Sequence, residues 1–130
     1  VSGSSPTALS LAHLRSDGWL VDVCERWVPL HGGKIKRDLF GLIDLVAVRP
    51  GETLGVQTTS SANFNARLNK MTDDDHYPAV SALMSAGWQV VIHGWRKSTR
   101  DGHACKHGHA RCGCRWVLHR EITLHPRVEP

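Results

Sequence analysis

The chain has no apolar run approaching the roughly 20 residues that a membrane-spanning helix needs. Its start lacks a charged segment leading into an apolar core and a small-residue cleavage site, so no secretory leader is expected. Pro/Gly/Ser-rich linkers, low-complexity segments and sequence repeats are missing too, and 130 residues suit one domain, 1–130. With 41% hydrophobic and 22% charged residues the composition is near the globular average, which argues against a disordered or fibrous chain. A disulfide framework is also lacking. Of four cysteines, Cys105, Cys112 and Cys114 crowd into ten residues, while Cys24 stands alone in an apolar-alternating segment. Cysteines crowded among histidines read better as a metal site in a reducing compartment.

Negative charge is scarce in one region. Residues 1–57 balance six Lys/Arg against six Asp/Glu, whereas residues 95–120 carry seven Lys/Arg and only Asp101. The net charge of +4 permits a polyanionic partner without requiring one. The basic stretch reads either as a solvated loop or as an electrostatic footprint for nucleic acid.

Ser5-Pro6 places an N-cap before a proline at the first helical position, and Asp17-Gly18 ends that helix. Residues 19–28 read as a strand, and 29–36 as a loop turning at Gly32-Gly33. Residues 39–48 are nearly all apolar apart from Asp44, which predicts a central strand buried on both faces. A turn at 49–52 leads into a strand over 53–59. Phe64, Leu68 and Met71 recur at helical spacing, and Pro78 opens a further helix ending at Gly87. Strands follow at 88–95 and 115–124. The expected order is α-β-β-β-α-α-β-β, an α/β domain with a mixed five-stranded sheet flanked by helices. All five tryptophans are expected in the core. Asp73-Asp74-Asp75 reads as a solvated helix cap rather than a cation site.

Asp44 is the residue that calls for chemistry. A carboxylate in a doubly buried strand is costly unless it is paired or bound to a cation. One reading pairs it with Arg37 or Arg49. The other makes it a metal ligand. Gln57 and Thr59, two apart, project from one face of the next strand and can meet Asp44 across the hairpin. An acid facing a polar pair with this spacing is the layout of a Mg²⁺ site for phosphodiester hydrolysis.

The segments Arg37-Asp-Leu-Phe-Gly-Leu-Ile-Asp44 and Val56-Gln-Thr-Thr-Ser60, set in that element order, resemble the PD-(D/E)XK nuclease superfamily. The likeness is to archaeal-type Holliday-junction resolvases and to small phage-encoded proteins of that superfamily. It covers residues 7–95 as architecture and 37–60 as motif. The resemblance implies a restriction-endonuclease-like core and a Mg²⁺- or Mn²⁺-dependent endonuclease acting on DNA, branched DNA included. It puts Asp44 on the first metal carboxylate, Gln57 on the second acidic position and Thr59 on the lysine, with Ile43 in place of the proline. Lys70 or Arg67 would then supply the charge lost at Thr59, and Glu25 or Asp38 a further carboxylate. Lys34, Lys36, Arg37 and Arg67 join Lys106, Arg111 and Arg115 as expected DNA contacts. A homodimer is implied by the resemblance, as is a cytoplasmic location, that of a host cell if the protein is phage-encoded.

The Cys/His-rich loop at 101–114 is a second constellation. Cys105, Cys112, Cys114 and one of His103, His107 or His109 would close a structural Zn²⁺ site. The alternative is a basic loop with free thiols. Two other functions stay open: a nuclease-fold protein that binds DNA without cutting it, and a zinc-stapled protein-interaction module.

Overall fold

The computed structural model describes residues 5–97 and 116–126. Helix α1 (Pro6–Ser16) starts where expected: the Ser5 hydroxyl accepts from Ala8 N at 3.1 Å, and Pro6 occupies the first turn. Gly18, at φ 88°, ends it, and Trp19 N–H reaches back to Leu14 O at 3.1 Å. The same joint recurs after α3 (Tyr77–Ser85). There Gly87 has φ 93°, and Trp88 N–H bonds Leu83 O at 3.0 Å. Both are six-to-one closures that need a left-handed residue, which glycine supplies without steric cost.

The main sheet contains β1 (Leu20–Val23), β4 (Leu45–Arg49), β5 (Glu52–Ser60), β6 (Gln89–Lys97) and β7 (Trp116–Thr123), paired in that order. β4 pairs antiparallel with both β1 and β5, β5 and β6 are parallel, and β7 returns antiparallel to β6. The parallel step requires a crossover, made by α2 (Phe64–Met71) and α3. The fold is therefore α/β with a mixed five-stranded sheet flanked by helices. α1 covers one face of the sheet over Leu14, Val21, Leu45, Val56 and Val91. α2 and α3 cover the other over Ile43, Phe64, Met71, Val80 and Ile92. Gly94 is required by this second layer, because a Cβ there would lie 2.6 Å from Phe64 Cδ1. Among the described residues no helix is long and apolar enough to cross a membrane.

Three departures from the sequence reading bear on the site. The expected strand over 19–28 breaks after Val23, and its second half becomes β2 (Arg26–Leu30). The expected loop over 29–36 is mostly strand. β3 (Gly33–Arg37) pairs with β2 in a separate two-stranded sheet, closed by His31 and Gly32. The expected strand over 39–48 begins only at Leu45. Before it the chain makes a tight turn in which Phe40 (φ 56°) and Gly41 (φ 71°) are both left-handed and Leu42 N–H bonds Leu39 O. Two successive positive φ angles define a type I′ turn. Holding Phe40 there costs about 1–2 kcal/mol. Trp27 is corrected as well. It is 63% exposed on the hairpin, while Trp95 is buried and Trp19, Trp88 and Trp116 are half-buried. Cys24 is half-buried, and burial raises its thiol pKa.

Candidate metal centre

Asp44 lies at the seam between β1 and β5. Its backbone N–H bonds Val56 O and its carbonyl accepts from Cys24 N, both at 2.8 Å, so its main chain is held from both sides. The residue is 6% exposed. Its Oδ2 accepts three bonds, from Gln57 Nε2 at 2.7 Å, Thr58 N at 2.7 Å and the Thr58 hydroxyl at 3.1 Å. Thr58 Oγ1 also contacts Thr7 Oγ1 at 3.0 Å, tying the first turn of α1 to the site.

Two more carboxylates converge there. Glu25, at the break between β1 and β2, and Asp38, just past β3, offer oxygens that lie with one of Asp44 within 4.8 Å of one another. The I′ turn folds Asp38 back on Asp44. The hairpin returns the chain from Glu25 to Asp38. Burial, and then the neighbouring Asp38 carboxyl, push the Asp44 pKa up to about 7, against the opposing pull of Thr58 N–H. Asp44 is buried and Glu25 and Asp38 are half-buried, and carboxylates this close favour a shared proton or a neighbouring cation.

The residues present fit a hard divalent cation. Gln57 is 2% exposed and donates its amide to Asp44, yet its Oε1 is buried with no hydrogen-bond partner among the described residues. A buried carbonyl oxygen left bare costs about 1–3 kcal/mol. The three carboxylates form an all-oxygen donor set, which suits Mg²⁺, Mn²⁺ or Ca²⁺ over thiophilic ions, and Gln57 would add its carbonyl if its amide, which turns Nε2 to Asp44, flipped over.

Expected residues divide accordingly. Asp44, Gln57 and Glu25 come together, and Asp38 with them. Thr59 is buried but makes no hydrogen bond to Asp44; the contact belongs to Thr58. Arg67 and Lys70 on α2 pair with no carboxylate among the described residues. The cation that does reach the cluster is Lys36, whose Nζ lies 3.2 Å from Glu25 Oε2 and 5.6 Å from the Trp27 ring centre. Pairing of Asp44 with Arg49 is not what occurs. Arg49 binds Glu52 and stacks 3.9 Å over Trp19. Lys34 and Arg37 stand exposed on the hairpin. Cys105, Cys112, Cys114, His103, His107, His109, Lys106, Arg111 and Arg115 lie outside the described residues. The expected acidic cap is not what occurs: the N-cap of α3 is His76, with no side-chain capping bond, and Asp73 Oδ1 accepts from Asp75 N at 3.0 Å and His76 N at 2.8 Å in the turn before the helix.

Compared with known protein families, with characterised proteins and with solved structures, the chain shows no match.

A second polar cluster, missed in the sequence, joins α1 to the sheet. Trp95 Nε1–H donates to Ser10 Oγ at 2.8 Å, and Ser10 Oγ lies 2.9 Å from His93 Nδ1. His93 Nε2 lies 2.9 Å from Glu121 Oε2. The indole can only donate and the carboxylate only accept. The chain is therefore satisfied with neutral His93 protonated on Nε2 and the Ser10 proton directed to Nδ1. Burial holds the His93 pKa down. A Ser-His-Glu order suggests nucleophilic catalysis, but Ser10 and His93 are both 0% exposed, so no substrate reaches the hydroxyl. The cluster is a brace between α1, β6 and β7.

Proposed function

We propose that the protein is a metal-dependent DNA endonuclease of the resolvase kind, hydrolysing phosphodiester bonds with branched DNA among its substrates. The observation that carries this reading is the convergence of Glu25, Asp38 and Asp44, whose carboxylate oxygens lie within 4.8 Å of one another. The antiparallel β1-β4-β5 edge followed by a parallel crossover to β6 supports a restriction-endonuclease-like core. Asp44, Glu25 and Asp38 would hold Mg²⁺ or Mn²⁺, with Gln57 completing the oxygen set. The bound cation supplies Lewis acidity and lowers the pKa of an attacking water. Thr58 fixes the Asp44 carboxylate, so the group needs little reorganisation on binding. Lys36, whose Nζ lies 3.2 Å from Glu25 Oε2, or Lys70 on α2 would carry the charge that Thr59 cannot supply. A homodimer acting on two symmetric strands in the cytoplasm, and Zn²⁺ held by Cys105, Cys112, Cys114 and a histidine, belong to the same proposal.

A second reading rests on one observation: Gln57 Nε2 and Thr58 already donate to Asp44 Oδ2, so that oxygen is satisfied without a cation. The protein is then a DNA-binding relic of a nuclease. Cleavage of labelled duplex, single-stranded and four-way-junction DNA with Mg²⁺ or Mn²⁺, beside Asp44→Ala, separates the two. The nuclease reading expects metal-dependent cutting that the variant loses while it still binds. Absence of cutting by both proteins, with salt-sensitive binding retained, refutes it in favour of the relic.

A further inference from the structure

The β2–β3 hairpin does nothing for the core. It forms its own two-stranded sheet, and of its ten strand residues only Val28 is even half-buried. From Arg26 to Arg37 the sequence holds four Lys/Arg and no carboxylate. That surplus equals the formal net charge of the whole chain, +4.

The register sorts these residues onto two faces, because directly paired residues share a face. Trp27 pairs with Lys36 and Pro29 with Lys34 on one. The other face carries Arg26 opposite Arg37, then Val28 opposite Ile35, with Leu30 at the tip. Like charges directly opposite destabilise a ribbon. No carboxylate pairs with either Arg26 or Arg37 among the described residues. Beyond the two guanidiniums, Leu30 (53% exposed) and Ile35 (43% exposed) leave apolar surface in water. A cationic pair at the base and an apolar tip on one face fit a ligand with both phosphates and apolar edges.

Location completes the argument. Glu25 immediately precedes Arg26 and Asp38 immediately follows Arg37, so two of the three clustered carboxylates are the feet of the hairpin. Strands of this length span about 17 Å at ~3.3 Å per residue. A two-stranded ribbon also fits the roughly 12 Å width of the B-DNA major groove. We infer that the hairpin lies in the major groove of duplex DNA, with Arg26 and Arg37 on backbone phosphates and Leu30 and Ile35 against base edges. This deepens the nuclease reading, on which its biological sense rests, since a groove-bound ribbon delivers the flanking phosphates to the triad.

The test is equilibrium binding of the full chain to a fluorescent duplex in EDTA across a salt series. Cleavage plays no part in that measurement, so an inactive triad leaves its result intact, whereas the cutting assay above judges the triad alone. Arg26→Gln/Arg37→Gln should make the log–log salt slope shallower by about 2, from two lost phosphate contacts. Arg15→Gln, exposed on α1 and outside the hairpin, should leave the slope unchanged. Leu30→Ser/Ile35→Ser should weaken duplex binding while preserving the slope, and it keeps the comparison decisive if the double arginine variant fails to fold. A duplex with bulky glucosylated cytosines filling the major groove should bind the unaltered protein at least about tenfold more weakly, and netropsin in the minor groove should not compete. Unchanged affinity for the filled-groove duplex overturns the inference. So does an unchanged slope in the folded double variant, equal binding of single strands, or loss of self-association in place of DNA binding, which would make the ribbon a contact between copies.

Discussion

The substitution Asp44→Asn replaces the crowded carboxylate with a neutral group of the same shape. The wild-type Asp44 pKa rises from 3.8 to about 7 on folding, because burial and then Asp38 disfavour the charged form. The folded protein thus binds that proton more tightly than the unfolded chain. The associated stability is complete below pH about 4 and is lost as pH rises through about 7. Roughly three pKa units at about 1.4 kcal/mol each come to about 4 kcal/mol missing at pH 8 when no cation is present. The new carboxamide keeps an acceptor for Thr58 N and Gln57 Nε2 and turns an NH₂ towards Asp38. Its bonds are weaker than those to a carboxylate by about 1 kcal/mol. In EDTA at pH 8, Asp44→Asn should therefore be more stable than wild type by about 2–3 kcal/mol, and at pH 5 the gap should close to within about 1 kcal/mol. Millimolar Mg²⁺ should stabilise wild type selectively and narrow the gap at pH 8. Urea unfolding of both proteins under the three conditions measures this. A variant less stable than wild type at pH 8 in EDTA, or a gap independent of pH, refutes the electrostatic account of the site.

The brace and the sheet packing give two further tests. Ser10→Ala leaves His93 Nδ1 and Trp95 Nε1 without partners in a buried setting, and should cost about 2–4 kcal/mol in urea unfolding while leaving metal affinity within about twofold. A loss under about 1 kcal/mol would mean that water satisfies both groups. Gly94→Ala drives a methyl into Phe64 and should lower stability by about 1–3 kcal/mol in thermal unfolding. A neutral result would mean that α2 shifts freely over the sheet.

Much of the architecture is legible in the sequence because its signals are local. Ser5-Pro6, Gly18-Trp19 and Gly87-Trp88 mark helix ends through capping chemistry that depends on a few adjacent residues. The alternation of β5 places Gln57 opposite Asp44 without knowledge of the rest of the chain. The hairpin is illegible for a matching reason. Pro29, His31 and Gly32-Gly33 carry loop propensities, and a two-stranded ribbon off the core shows no buried face to give it periodicity. Residues 39–43 mislead in the opposite sense. Their apolar run imitates a buried strand, whereas Leu42 and Ile43 are buried by a turn through a strained Phe40. Asp38 reaches Asp44 only because of that turn. The Thr58 contact is equally hidden, because its backbone N–H and hydroxyl both meet Oδ2 where alternation points to Thr59. Sequence spacing therefore points to Asp44 and Gln57, while the triad is a product of tertiary path.

The central claim is that Glu25, Asp38 and Asp44 form a cation site, and calorimetric titration of Mn²⁺ into the chelator-stripped protein tests it most directly. The account predicts a saturable site that Asp44→Asn and Asp38→Asn each abolish, although the first variant is the more stable protein in EDTA. Mn²⁺ binding unchanged in both variants, or no heat in wild type up to millimolar Mn²⁺, would contradict it.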